Sequence, residues 1–183
     1  MGSGVPAGGS TSGGATEALR AALPSWARDT ARNVEAVLDE PRLLTADQHW
    51  GTVLVAATVL RQRTGPLLAE TAAVRLEPSA ADTARAVASV MAGHAVLFRA
   101  RHFLHGAYDD VRAGLRSSAT VAPTWPRADV EAWCVAAAAV LGCQACLEEH
   151  EAAARDAGLD REQVHEVLRI AAVVAAAVTA VEA

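Results

Sequence analysis

Apolar positions recur three and four residues apart along this chain, in runs separated by proline, glycine and acidic breaks. Glu17–Leu23 reads as helix and stops at Pro24. Ser25 is placed to cap a helix from Trp26 to about Leu38, with Trp26, Val34, Val37 and Leu38 as its apolar positions, and Asp39-Glu40-Pro41 breaks it. Thr45 caps a stretch from Ala46 to about Arg63 that carries Trp50, Val53, Leu54, Ala57 and Leu60. Gly65-Pro66 opens a helix over Leu67–Val74, and Glu77-Pro78-Ser79 is a turn before a helix over 80–92. A further segment runs from His94 to about Leu104. Pro123 and Pro126 flank Trp125 in a connecting loop. Asp129–Leu141 is helix, Gly142 is a break, and Cys143–Ala157 is helix again. Gly158 fits a C-cap, and Leu159-Asp160 lead into a last helix to about Val181. No stretch alternates convincingly with period two, so the pattern predicts an all-α fold.

Composition narrows the reading. Residues 1–16 are rich in glycine and serine with almost nothing to bury, and are expected to form a disordered tail. The rest, 17–183, is expected to be a single helical domain; 183 residues suit one domain or two small fused repeats. The chain is 52% hydrophobic but only 4% aromatic, which favours closely packed helices of alanine and valine. A net charge of −5 without a basic block argues against a nucleic-acid partner. The longest apolar run, Ile170–Val181, falls short of the roughly 18 residues a membrane span needs. No basic-then-apolar leader opens the chain, and three cysteines are too few and too clustered for a secreted disulfide framework. These readings together predict a cytoplasmic protein with no membrane partner. A weak internal repeat is visible, because Trp50 and Trp133 lie equally far ahead of Leu76 and Leu159. It divides the chain into approximate halves, 17–122 and 123–183. The first half has Leu60-Arg61-Gln62-Arg63 where the second has its cysteines, so chemistry is expected in the second half.

Cys143 and Cys146, three apart at a helix start, can form a disulfide across one turn. Helix N-termini carry partial positive charge and free N–H donors, which favour thiolate over thiol. His150 lies four residues after Cys146 on the same helical face, where an imidazole can take the Cys146 proton. Glu131 on a continuous helix would be about 18 Å before Cys143, too far to act. If the chain reverses at Gly142, Glu131 lies about 16 Å from the turn and His150 about 10 Å, close enough for a water to bridge them. Competing readings are a half zinc site, for which no second CxxC or histidine pair has the spacing, and a structural disulfide, whose one-turn loop adds little. A redox pair fits better. Cys134, on the apolar face of its helix, reads as an inert buried thiol. Glu148, Glu149 and Glu151 read as a solvated face around His150. His49, His94, His102, His105 and His165 form no constellation.

Glu131, Cys143-x-x-Cys146 and His150 together resemble the AhpD-like alkyl hydroperoxidases of the carboxymuconolactone decarboxylase superfamily. The flanks are similar as well: Leu19–Asp29, Trp50–Leu54, Phe103–Arg116 and Gly158–Glu162. The resemblance runs from about Glu17 to the C-terminus. It implies an all-α AhpD-like fold of two degenerate helical repeats and a homotrimer. It also implies a thiol–disulfide oxidoreductase that binds no cofactor. Such a protein takes electrons from dihydrolipoamide, carried on dihydrolipoyl succinyltransferase and recharged by dihydrolipoamide dehydrogenase. It passes them to the peroxiredoxin AhpC, and it reduces alkyl hydroperoxides weakly by itself. By position, Cys146 would be the attacking thiol, Cys143 its disulfide partner and proton donor, and Glu131 and His150 a proton relay acting through a water. One departure stands out: some members have a histidine between the cysteines, and here that position is Ala145. A first cysteine on a helix start is usually the more acidic one, whereas His150 and the resemblance favour Cys146. The rival readings are a general thiol–disulfide reductase of the same superfamily without a peroxide role, a thiol-independent decarboxylase or ring-opening enzyme, and a zinc-holding or purely structural helical module.

Overall fold

The computed structural model describes residues 14–183 apart from residues 40, 61–63 and 122. Every regular element among the described residues is a helix: α1 Gly14–Ala22, α2 Arg28–Leu38, α3 Ala46–Leu60, α4 Gly65–Ala73, α5 Pro78–Phe103, α6 Ser118–Val121, α7 Arg127–Leu141, α8 Gln144–Asp156 and α9 Arg161–Glu182. The all-α expectation therefore holds. α3 and α7 form the centre and touch each other; α4, α5 and α9 pack on α3, while α5, α8 and α9 pack on α7.

Local chemistry explains most boundaries. Thr45 and Gln48 form a reciprocal cap: Gln48 N–H donates to Thr45 Oγ1 and Thr45 N–H to Gln48 Oε1, each at 3.1 Å. Asp160 and Gln163 do the same at the start of α9, at 2.8 Å each. Three boundaries differ from the sequence reading. α2 begins at Arg28 because the Ala27 N–H closes a turn onto the Pro24 carbonyl; Ser25 caps nothing and Trp26 is exposed. The segments 80–92 and 94–104 are one 26-residue helix, α5. Gly93 costs a helix only about 1 kcal/mol, and buried Met91 and Ala95 on either side carry the packing through it. α1 begins at Gly14, inside the stretch expected to be tail, and Thr16 and Leu19 are buried. Residues 1–13 and the end of the predicted 46–63 helix, 61–63, lie outside the described residues. Short α6, in the connecting segment, has no counterpart in the sequence reading.

Small side chains let the central helices approach. Trp133 of α7 is fully buried, and its indole Nε1–H donates to the Asp47 carbonyl at 3.2 Å across the α3–α7 contact. The ring lies over Gly51, where a Cβ would overlap the indole, so that position requires glycine. α9 is long and apolar enough to span a membrane by length and composition alone. In this structure its apolar face is spent inside the protein, with Val167, Ile170, Val174 and Val178 buried.

Candidate active site

α7 carries Glu131 and Cys134, and α8 carries Cys146 and His150. The turn between them decides the geometry. Gly142 adopts a left-handed conformation, φ 65°, that favours glycine. Gly142 N–H bonds to the Ala139 carbonyl and Cys143 N–H to the Ala138 carbonyl, closing the end of α7. The chain then turns back, and Cys143 becomes the N-cap of α8, its Sγ accepting from the Cys146 N–H at 3.4 Å. The two sulfurs are bonded as a disulfide, with Cα atoms 5.3 Å apart. Both cysteines are buried, Cys143 1% and Cys146 3% exposed, so exposure does not single out the first thiol.

The reversal at Gly142 brings Glu131 to His150. His150 Nδ1 donates to Glu131 Oε2 at 2.7 Å. The contact is direct, where the sequence reading had a water between them. An axial offset of about 6 Å between rigid helices is within the reach of the two side chains, so no bridge is needed. Glu131 is fully buried. A bond from Nδ1–H to a carboxylate fixes the imidazole tautomer and leaves Nε2 as a base. In the disulfide state His150 makes no hydrogen bond to either sulfur among the described residues. Glu148, Glu149 and Glu151 are exposed, as the sequence reading expected.

Three further groups belong to this site and were not assigned to it from sequence. Arg127, one turn before Glu131 on α7, ion-pairs through Nη2 with Glu131 Oε1. Its only sequence signal is the four-residue spacing. His94 of α5 is half-buried; burial lowers its pKa, the field of His150 lowers it further, and Glu149 opposes this. Nothing in the sequence links positions 94 and 150. Cys134 Sγ lies with a Glu131 oxygen and a His150 nitrogen inside a sphere where all three are within 4.8 Å of one another. Burial pushes the Cys134 thiol well up, and Glu131 adds to this. These three side chains have the chemistry of a zinc set, but they are already committed. One Glu131 oxygen faces Arg127 and the other takes His150 Nδ1.

Asp129 anchors the start of α7: Oδ1 accepts from Gln48 Nε2 at 2.9 Å and Oδ2 from Trp125 Nε1 at 3.0 Å. This ties α7 to α3 and to the connecting loop, and so fixes where Glu131 points.

Comparison with known proteins places this arrangement in context. The carboxymuconolactone decarboxylase family matches residues 106–183. The chain is 41% identical over 160 residues to an alkyl hydroperoxide reductase AhpD of Mycobacteroides abscessus, covering 87% of this chain and 91% of that protein. It is 40% identical over 167 residues to the protein of the same name from Nocardia farcinica, covering 91% and 93%. It is 39% identical over 160 residues to that of Mycobacterium tuberculosis, covering 86% and 89%.

Proposed function

Since the chain belongs to the AhpD family within the carboxymuconolactone decarboxylase superfamily, we propose that it is an alkyl hydroperoxide reductase whose working group is the Cys143–Cys146 pair. The observation that carries this reading is the disulfide at the N-terminus of α8, one turn from an imidazole held by a buried carboxylate.

The chemistry runs in two halves. A dihydrolipoamide thiolate attacks the Cys143–Cys146 disulfide and forms a mixed disulfide. Its second thiol then displaces the protein sulfur, leaving lipoamide oxidised and both cysteines reduced. In the other half, His150 Nε2 takes the Cys146 proton. The Cys146 thiolate attacks the disulfide of oxidised AhpC, and Cys143 resolves the mixed disulfide, so that AhpC leaves as dithiol. With an alkyl hydroperoxide the thiolate attacks the terminal oxygen and the O–O bond breaks. The alkoxide takes a proton from the relay, and Cys146 becomes a sulfenic acid. Cys143 then forms the disulfide with loss of water. Glu131 holds His150 in the tautomer this needs. Lipoylated dihydrolipoyl succinyltransferase with dihydrolipoamide dehydrogenase is the donor system in this reading, and no cofactor is bound.

Residues 17–183 act as one domain of two degenerate repeats. The contact between α3, which opens Ala46-Asp47, and α7, which opens Arg127-Ala128-Asp129, supports that reading. A homotrimer is supported by exposed Val96, Phe103, Leu104, Tyr108, Val111 and Leu115, which a monomer would leave to water.

The assignment of the two thiols is tested by trapping. Cys143→Ser should accumulate a dithiothreitol-sensitive covalent adduct with oxidised AhpC, and Cys146→Ser should not. Adduct in Cys146→Ser alone would reverse the roles.

A further inference from the structure

Arg127 is the one residue of the buried network whose position runs against local helix energetics. It is the first residue of α7, where the helix dipole is positive and a cation is disfavoured. It precedes its acidic partner by four residues, the weaker orientation for a helical ion pair. A surface pair in that arrangement adds little stability. Here the partner is Glu131, which is fully buried, while the Arg127 side chain is 47% exposed.

The guanidinium is also held in place. Nη1 donates to the Thr120 carbonyl at 2.8 Å and to the Val121 carbonyl at 3.3 Å. Nη2 ion-pairs with Glu131 Oε1, a buried oxygen that has no hydrogen-bond partner among the described residues. The geometry is a relay in line: the α6 carbonyls orient Arg127, Arg127 meets one oxygen of Glu131, and the other oxygen takes the His150 Nδ1–H.

We propose that Arg127 is a positioning residue for the redox site, holding Glu131 as an oriented carboxylate so that Glu131 can fix His150. A carboxyl group buried without a cation becomes neutral, and a neutral Glu131 no longer needs the Nδ1 proton. The imidazole would then lose the restraint that leaves Nε2 as the base. This inference rests on the redox reading of Cys143 and Cys146.

The charged and titratable groups around the Glu131–His150 pair are Arg127 and Cys134 from α7, His94 from α5 and Glu149 from α8. From α3, Gln48 meets Asp129 instead, and no α9 charge pairs with either residue among those described.

The test is the pH dependence of Cys146 alkylation by iodoacetamide in the reduced protein, followed by mass spectrometry. It needs no turnover, so it stays informative even if the physiological substrates differ. Arg127→Gln should move the alkylation midpoint up by about one pH unit. Arg127→Lys, which keeps a cation, should restore most of it. In a Glu131→Gln background Arg127→Gln should add no further shift, because the arginine acts through the carboxylate. An unchanged midpoint in Arg127→Gln, or an equal shift with and without Glu131, would overturn the proposal.

Discussion

Glu131 and His150 are nineteen residues apart in the chain, yet Oε2 of one and Nδ1 of the other are 2.7 Å apart inside the protein. Their meeting depends on one left-handed glycine, Gly142, and on two helices that fold back across it. Removing the carboxylate charge should weaken proton transfer while leaving the cysteines in place. Glu131→Gln is predicted to lower kcat for lipoamide-dependent peroxide reduction by about a hundredfold, the usual range for loss of acid–base assistance. A variant with a lower melting temperature and unchanged kcat would make Glu131 purely structural.

The free thiol gives a second prediction. Cys134 is fully buried and its pKa is raised, first by burial and then by Glu131. In the oxidised native protein it should resist iodoacetamide at pH 8 and react only when denaturant is added. Rapid labelling of the folded oxidised protein would contradict its placement.

Packing between α3 and α7 gives a third. Gly51→Ala drives a methyl group into the Trp133 indole, and Trp133 follows Glu131 by two residues on the same helix. Overpacking of this kind costs about 3 kcal/mol, readable as a lower urea midpoint. A wild-type midpoint would show that the α3–α7 contact is looser than the structure has it.

Two histidines set the response to mild acid. Burial lowers the pKa of His49, partly offset by its bond to the Leu38 carbonyl, and burial lowers that of His94 as well. In the unfolded chain both groups protonate near the ordinary value of about 6.5, and in the folded protein only at lower pH. The unfolded state therefore binds more protons below that value, so stability is full above it and falls as pH drops. Urea unfolding at pH 7.5 and pH 5.5 should show this slope. His49→Gln, which keeps a donor for Leu38, should flatten it in part. Parallel pH profiles for the two proteins would contradict the assignment.

The helical plan and the cysteine pair were legible because they depend on local rules. Thr45, Gly142 and the three-residue cysteine spacing each act within one turn of chain. The same was true of His150 relative to Cys146. Glu131 could be brought near His150 only on condition of a reversal at Gly142, and its direct bond depends on helix–helix packing that spacing does not encode. Arg127 carried the right spacing to Glu131, but an i,i+4 pair on an unplaced helix looks like solvated surface. His94 comes from a different helix and was invisible. The continuity of α5 through Gly93 was missed because tertiary burial of Met91 and Ala95 outweighs the weak break that glycine provides.

The redox role of Cys143–Cys146 is tested most directly by following NADH oxidation. The mixture holds dihydrolipoamide dehydrogenase, lipoamide, oxidised AhpC and an alkyl hydroperoxide, with and without this protein. Oxidation is predicted to require the protein and to be lost in Cys146→Ser. An equal rate without the protein, or full activity in Cys146→Ser, would contradict it.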